Sequence, residues 1–283
     1  MKQNKTNDRP QSLGFRTEMI FHHFDGIVLD RNDYLVVKTP SNPGFMFGNL
    51  LLFFQAPRLG SLEKWKTLFR GEFKDTPAVR HFTFLWDSPS EGTGDVTELR
   101  TEGFEVDFSV VLTALSVHPP TKSNLQVEVR PIMTDTEWKE VTEAQIFSKA
   151  AEYDEKSYRQ FKEKQMARYR AMSEKGLGHW FGAFINGTLV GDLGVYQEGH
   201  IGRFQSVETH PDFRRQGVCG TLVYESAKYA FDKMGCTHLV MVADENYHAA
   251  KIYESVGFTP TSKEYSAFWW DKKSAAPIGG IHA

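Results

Sequence analysis

At 283 residues, 40% hydrophobic and 24% charged, the chain can bury one large core or two ordinary ones. A net charge of -3 and a pI near 6.4 argue against an electrostatic nucleic-acid binder, and no apolar run nears the ~18 residues of a membrane span, so neither nucleic acid nor membrane is an expected partner. Two cysteines cannot build a disulfide framework and the polar first ten residues lack the apolar core of a signal peptide, so a reducing cytoplasm is expected.

In chain order, residues 1–16 read as a mobile tail. Residues 50–54, Leu-Leu-Leu-Phe-Phe, form a buried-strand run. Residues 62–73 have helical spacing, with Leu62, Trp65, Leu68 and Phe69 on one face. Residues 82–86 read as a strand; Glu102-Gly103-Phe104 then leads into another at 108–112. Pro119 and Pro120, followed by polar residues to Asn124, cannot continue a central strand and mark a boundary. The blocks are thus 17–124 and 125–271, with 272–283 a second tail.

The second block opens on an alternating strand at 126–130. Asp135 caps a helix to about Ser148, and a second helix runs over 154–175. Strands at 180–185 and 188–196 flank the hairpin turn Asn186-Gly187. A strand at 204–209, a Gly- and Arg-rich loop, a helix at 221–234 and an apolar strand at 238–243 follow. Strand, helix, strand, Gly-Phe, strand occurs once in each block. The pattern fits a diverged tandem repeat, or a generic α/β half with a chance Gly-Phe. Pro57-Arg58-Leu59-Gly60-Ser61 stands where the first copy's loop would be, so cofactor binding is not expected there.

The loop Arg214-Arg215-Gln216-Gly217-Val218-Cys219-Gly220-Thr221 carries the most chemistry. Leading from a strand into a helix, it leaves backbone N–H groups unpaired at the positive end of a helix dipole. Glycine allows close approach and arginine adds charge, a combination suited to phosphate or pyrophosphate. No Gly-Lys-Ser/Thr makes it a P-loop, and its glycines lack dinucleotide-fingerprint spacing.

The loop resembles the Arg/Gln-x-x-Gly-x-Gly/Ala motif of the GCN5-related N-acetyltransferases (GNAT), with Arg214 first, Gly217 fourth and Cys219 in the Gly/Ala position. Residues 246–258, from Asn246 through Ala249 and Tyr253 to Gly257-Phe258, resemble that family's Asn-x-x-Ala-x-x-x-Tyr-x-x-x-Gly-Phe signature. The resemblance spans roughly 127–270. It implies an α/β, mixed-sheet, acyl-CoA N-acyltransferase fold, with tandem GNAT-like domains if the first block is a repeat. It implies acetyl-CoA as co-substrate, with backbone N–H groups from Arg215 to Thr221 on the pyrophosphate, and Val207, Thr209 and Asn246 on the pantetheine arm. Tyr253 matches the tyrosine near the cofactor sulfur, and a phenol suits protonation of a leaving thiolate.

Glu208 lies in the strand that lines the cleft in that family and is the candidate base; Asp192, Glu198 and His210 are rivals. Alternation puts Glu208 on the face opposite Val207 and Thr209. Cys219, in a small-residue slot, is not expected to act as a nucleophile. Cys236 is expected in the core, and His22-His23 has no metal-ligand spacing, so no metal is expected. The expected function is N-acetyl transfer from acetyl-CoA to a primary amine of a small molecule or peptide. A non-catalytic CoA-binding sensor and a transferase of a larger acyl group are the alternatives. The acceptor and the oligomeric state, a homo-oligomer included, are left open.

Overall fold

The computed structural model describes residues 10–88, 90–149, 154–244 and 249–270. Ser12 caps the first helix, α1 (Leu13–Asp25), its hydroxyl accepting from the N–H of Gly14 at 3.1 Å. The expected tail therefore ends earlier than residue 16: Phe15 is 3% exposed, and the main chain of Ser12 is tied to the Asp87 carboxylate. Two short strands, β1 (Ile27–Asp30) and β2 (Tyr34–Lys38), precede β3 (Leu50–Phe53), α2 (Ser61–Glu72) and β4 (His81–Trp86). The helix α3 (Thr97–Thr101) and strand β5 (Glu105–Ala114) close the first block.

After the Pro119-Pro120 segment come β6 (Glu128–Pro131), α4 (Asp135–Phe147) and α5 (Glu155–Glu174). Thr134, not Asp135, caps α4, in a capping box with Glu137, while Asp154 caps α5. Strands β7 (Gly178–Ile185) and β8 (Thr188–Glu198) are joined by Asn186 and Gly187, with φ of 51° and 80°, the left-handed pair that a two-residue hairpin demands. Then follow β9 (Ile201–Thr209), α6 (Val218–Lys233), β10 (His238–Asp244), α7 (Ala249–Glu254) and β11 (Thr259–Trp270). The helix α6 starts earlier than expected, so Val218, Cys219 and Gly220 are its first turn rather than loop.

The eleven strands of the described residues form one sheet, in the order β1-β2-β3-β4-β11-β5-β10-β9-β8-β7-β6. The order is palindromic in kind about the central β11–β5 pair: β3 and β4 are parallel, as are β9 and β10, and antiparallel partners flank each pair. The units β3–α2–β4–α3–β5 and β9–α6–β10–α7–β11 are thus two copies of one motif. The copies are not separate bodies, as two blocks divided at 117–124 would suggest. The last strand of each pairs into the other: β5 lies against β10, and β11 against β4.

Core clusters cover both faces of the sheet. On one face, α6 and α7 bury Leu222, Val223, Tyr253 and Phe258 over β8, β9 and β10, while α2 buries Trp65 and Phe69 over β3 and β4. On the other face, α1, α4 and α5 bury Phe21, Trp138, Tyr169 and Trp180, and Phe161 of α5 joins Phe15, Phe45 and Leu52 of the first block.

Candidate active site

The site forms where two strands part. Strands β9 and β10 pair only through Ile201, Gly202 and Arg203 opposite His238, Leu239 and Val240. Beyond these, residues 204–209 and 241–244 have no mutual ladder, and a gap opens toward the start of α6. In the first copy β3 and β4 stay paired to their last residues, Phe53 opposite Trp86, and the N–H of Asp87 extends the contact to the Phe53 carbonyl at 2.8 Å. That copy has no comparable gap.

A β-bulge shapes β9 at the gap. Asp192 of β8 faces Glu208 and Gly194 faces Gln205, so Leu193 stands opposite both Ser206 and Val207. Ser206 takes up the extra residue with φ of 49°. Val207 packs toward the α6 core, whereas Glu208 turns to the other face, as alternation predicts. Glu208 there neighbours buried Asp192 across the strands and buried Lys162 of α5. Burial raises the carboxyls of both, that of Asp192 to about 7, and lowers the Lys162 ammonium to about 8. A cleft lined by Ala144, Phe147, Ser148, Asp192, Glu208, Thr209, His210 and Arg214 leads to this cluster.

The rivals to Glu208 separate cleanly. Asp192 shares the cluster. Glu198 is exposed at the far end of the β8–β9 hairpin, opposite Ile201. His210 serves the turn: Nδ1 accepts from the N–H of Asp212 at 3.4 Å, and its ring stacks on Phe147 at 5.5 Å.

The phosphate-type cradle lies across the sheet from Glu208. Gly217 caps α6 with φ of 82°, and Arg215 is also left-handed at 60°. The first intrahelical bond runs from Thr221 N–H to Gly217 carbonyl at 3.1 Å, so the N–H groups of Val218, Cys219 and Gly220 lack acceptors within the helix. Loop carbonyls are tied back: Arg214 Nε donates to Thr209, and Gln216 Nε2 to Asp212. The segment joining the blocks completes the loop's outer side. Lys122 Nζ donates to the Arg215 carbonyl, Asn124 Nδ2 to the Gln216 carbonyl and Asn124 N–H to Thr221 Oγ1. Burial pushes the Cys219 thiol up to about 12, the opposite of nucleophile activation. Cys236 is buried and free. Among the described residues no group of His, Cys, Asp and Glu could hold a metal.

Tyr253 is 1% exposed in the core between α6 and α7, and the Phe258 N–H bonds its carbonyl at 3.1 Å. In the first copy the matching bond runs from Phe104 N–H to Leu99 carbonyl, after a left-handed Gly103 that corresponds to Gly257. Leu99 thus stands in the place of Tyr253. Gly60, capping α2 with φ of 83°, stands in the place of Gly217, but its N–H donates to the Glu98 carboxylate at 2.9 Å. Glu91 accepts from Ala56 N–H and from Arg58. In the first copy the chain's own carboxylates thus bond the loop that leads into α2. Asn246 lies outside the described residues.

Sequence reasoning passed over Gln145 and Lys162, which are 1% and 8% exposed. Each interrupts the apolar stripe of its helix: Trp138, Val141 and Gln145 on α4, and Tyr158, Phe161, Lys162 and Met166 on α5. A polar side chain in a core register was the available signal.

The splayed parallel pair, the bulge and the glycine-capped helix define an acyl-CoA N-acyltransferase fold. The sequence model of the acetyltransferase (GNAT) family matches residues 138–258. Acetyltransferases of Yersinia pestis and Yersinia pseudotuberculosis are 31% identical over 77 residues, 27% of this chain; the chain spans 54% of their length. Among solved structures, a GCN5-related N-acetyltransferase from Kribbella flavida matches with a TM-score of 0.63 at 14% identity, over 91% of this chain and 95% of that one. A functionally unknown conserved protein from Staphylococcus epidermidis matches at 0.68 and 14%, over 88% and 95%. A tandem GNAT protein from the clavulanic acid biosynthesis pathway matches at 0.52 and 12%, over 78% and 75%. The likeness to the acetyltransferase (GNAT) family thus rests on residues 138–258, in the C-terminal half of the chain.

Proposed function

We propose that this chain moves the acetyl group of acetyl-CoA to a primary amine of a small molecule or peptide. The observation that carries the reading is the parting of β9 from β10 beside the Gly217-capped start of α6. The first-turn N–H groups of α6, with Arg214 and Arg215, hold the pyrophosphate. The pantetheine arm lies along the main chain of Val207 and Thr209 as an added strand would. The two free thiols suit a reducing cytoplasm.

The amine reaches the thioester from the Glu208 face. It arrives as an ammonium and loses a proton to Glu208, whose raised pKa makes it a stronger base than an ordinary carboxylate. The nitrogen lone pair then attacks the carbonyl carbon, the C–S bond breaks, the thiolate takes a proton from Tyr253, and the second proton lost by the nitrogen returns through solvent to restore the Tyr253 phenol. The products are an N-acetyl amine and CoA.

The test is thiol release from acetyl-CoA across a panel of primary amines, with the acetylated product identified by mass. Turnover with at least one amine is expected. CoA binding with no turnover on any amine would favour a sensor, and faster reaction with longer acyl-CoA would reassign the acyl group.

A further inference from the structure

The β9 bulge is held in place from the Glu208 face by one amide. Gln145 Nε2 donates to the Ser206 carbonyl at 3.1 Å and to Asp192 Oδ1 at 2.7 Å. Its Oε1 accepts from Lys162 Nζ at 3.0 Å. The partners fix the amide's orientation, because an ammonium can only donate and a carbonyl can only accept. Trp180 Nε1 donates to the same Asp192 oxygen at 3.0 Å. Every member is buried: Trp180 is fully enclosed, Gln145 and Asp192 are 1% exposed, and Lys162 and Ser206 are 8%. Buried polar groups cost free energy unless paired, so a satisfied network of this kind holds one geometry closely.

The network converges on Ser206, the residue of the β9 bulge with the left-handed backbone. Ser206 and Val207 share Leu193 as partner, so main-chain groups here are released from regular pairing with β8. They sit where β9 has already parted from β10. Preorganised main-chain donors in such a gap are suited to a carbonyl oxygen on which charge develops. We propose that Gln145, oriented by Lys162, is a positioning residue that fixes the β9 bulge so that its main-chain donors hold the thioester carbonyl of the acyl donor. The inference rests on the acetyl-CoA reading above.

Affinity tests it without knowledge of the acceptor. S-ethyl-CoA keeps every part of acetyl-CoA except the carbonyl oxygen. In the full-length parent, acetyl-CoA should bind about threefold to tenfold more tightly than S-ethyl-CoA, the worth of one hydrogen bond. In Gln145→Met that ratio should fall toward one while S-ethyl-CoA affinity stays within about twofold. Lys162→Met, which leaves the Gln145 bond to Ser206 in place, should lower the ratio less, and supplies the same comparison if Gln145→Met does not fold. A ratio unchanged in the variants, or both ligands weakened together, would overturn the role of Gln145 and leave the acetyl-CoA reading intact. A parent that binds neither ligand would overturn both.

Discussion

Tyr253 and Leu99 occupy matching places in the two copies, each buried and each bonded through its carbonyl to a phenylalanine N–H five residues on. Tyr253 has a phenol ring where Leu99 has an aliphatic side chain, and packing requires the ring's bulk but not its hydroxyl. Tyr253→Phe should therefore leave CoA affinity and Tm nearly unchanged while lowering kcat, toward the ~10²-fold low end of general-acid effects because CoA thiolate is a fair leaving group. An unchanged kcat would return Tyr253 to packing. Glu264 offers a test of stability. Burial pushes its carboxyl from 4.5 up to about 7, against the opposing hydrogen bonds of Ser12 and Phe15. The folded chain keeps this proton over a range in which the unfolded chain has lost it. Stability therefore falls as pH rises from about 4.5 toward about 7, by roughly 1.4 kcal/mol per unit. Glu264→Gln should flatten the loss of Tm between about pH 5 and about pH 7; curves parallel to the parent's would contradict this. Single residues were partly legible. The motif pointed to Gly217, and strand alternation put Glu208 opposite Val207. The pairing of Glu208 with Asp192 and Lys162 was not legible, because it depends on β8 register and on helices packed from elsewhere.

The elements that read well were those with strong local signals: the Asn186-Gly187 turn, the helix beginning near Asp154, and the apolar runs of β3 and β10. The first helix and β1–β2 were missed. The periodicity of α1 is interrupted by Thr17 and His22, which are buried against Arg203, Arg168 and other parts of the chain rather than exposed. The starts of α2 and α6 show how alike the copies are and where they diverge. A Cβ on Gly217 would come within 2.6 Å of the Lys122 carbonyl, in a backbone that disfavours side chains, so Gly217→Val strains the connecting segment as well as the cradle. Glu98 is the cleaner probe of the first cradle. Glu98→Ala should leave the Gly60 N–H without its carboxylate and cost about 1 kcal/mol, lowering Tm by ~2–4 °C, with CoA affinity unchanged. An unaltered Tm would mean that Glu98 does not stabilise the start of α2.

At the scale of the molecule, the exchange of β5 and β11 makes the copies interdependent. Sequence periodicity identifies a strand and its faces but carries no label for its partner, so two blocks were legible and their shared sheet was not. Removing either block would leave β4 or β10 without the neighbour that completes it. Calorimetric unfolding should therefore show one cooperative transition, with calorimetric and van't Hoff enthalpies equal; two resolved transitions would show independent halves.

The central claim is that one cofactor site exists, in the second copy, at the start of α6 beside the opening between β9 and β10. Isothermal titration of the full-length chain with acetyl-CoA measures it directly. The account predicts one molecule bound per chain, because the first copy keeps β3 and β4 paired and ties the loop before α2 to Glu98 and Glu91. Two molecules bound per chain, or none, would contradict it.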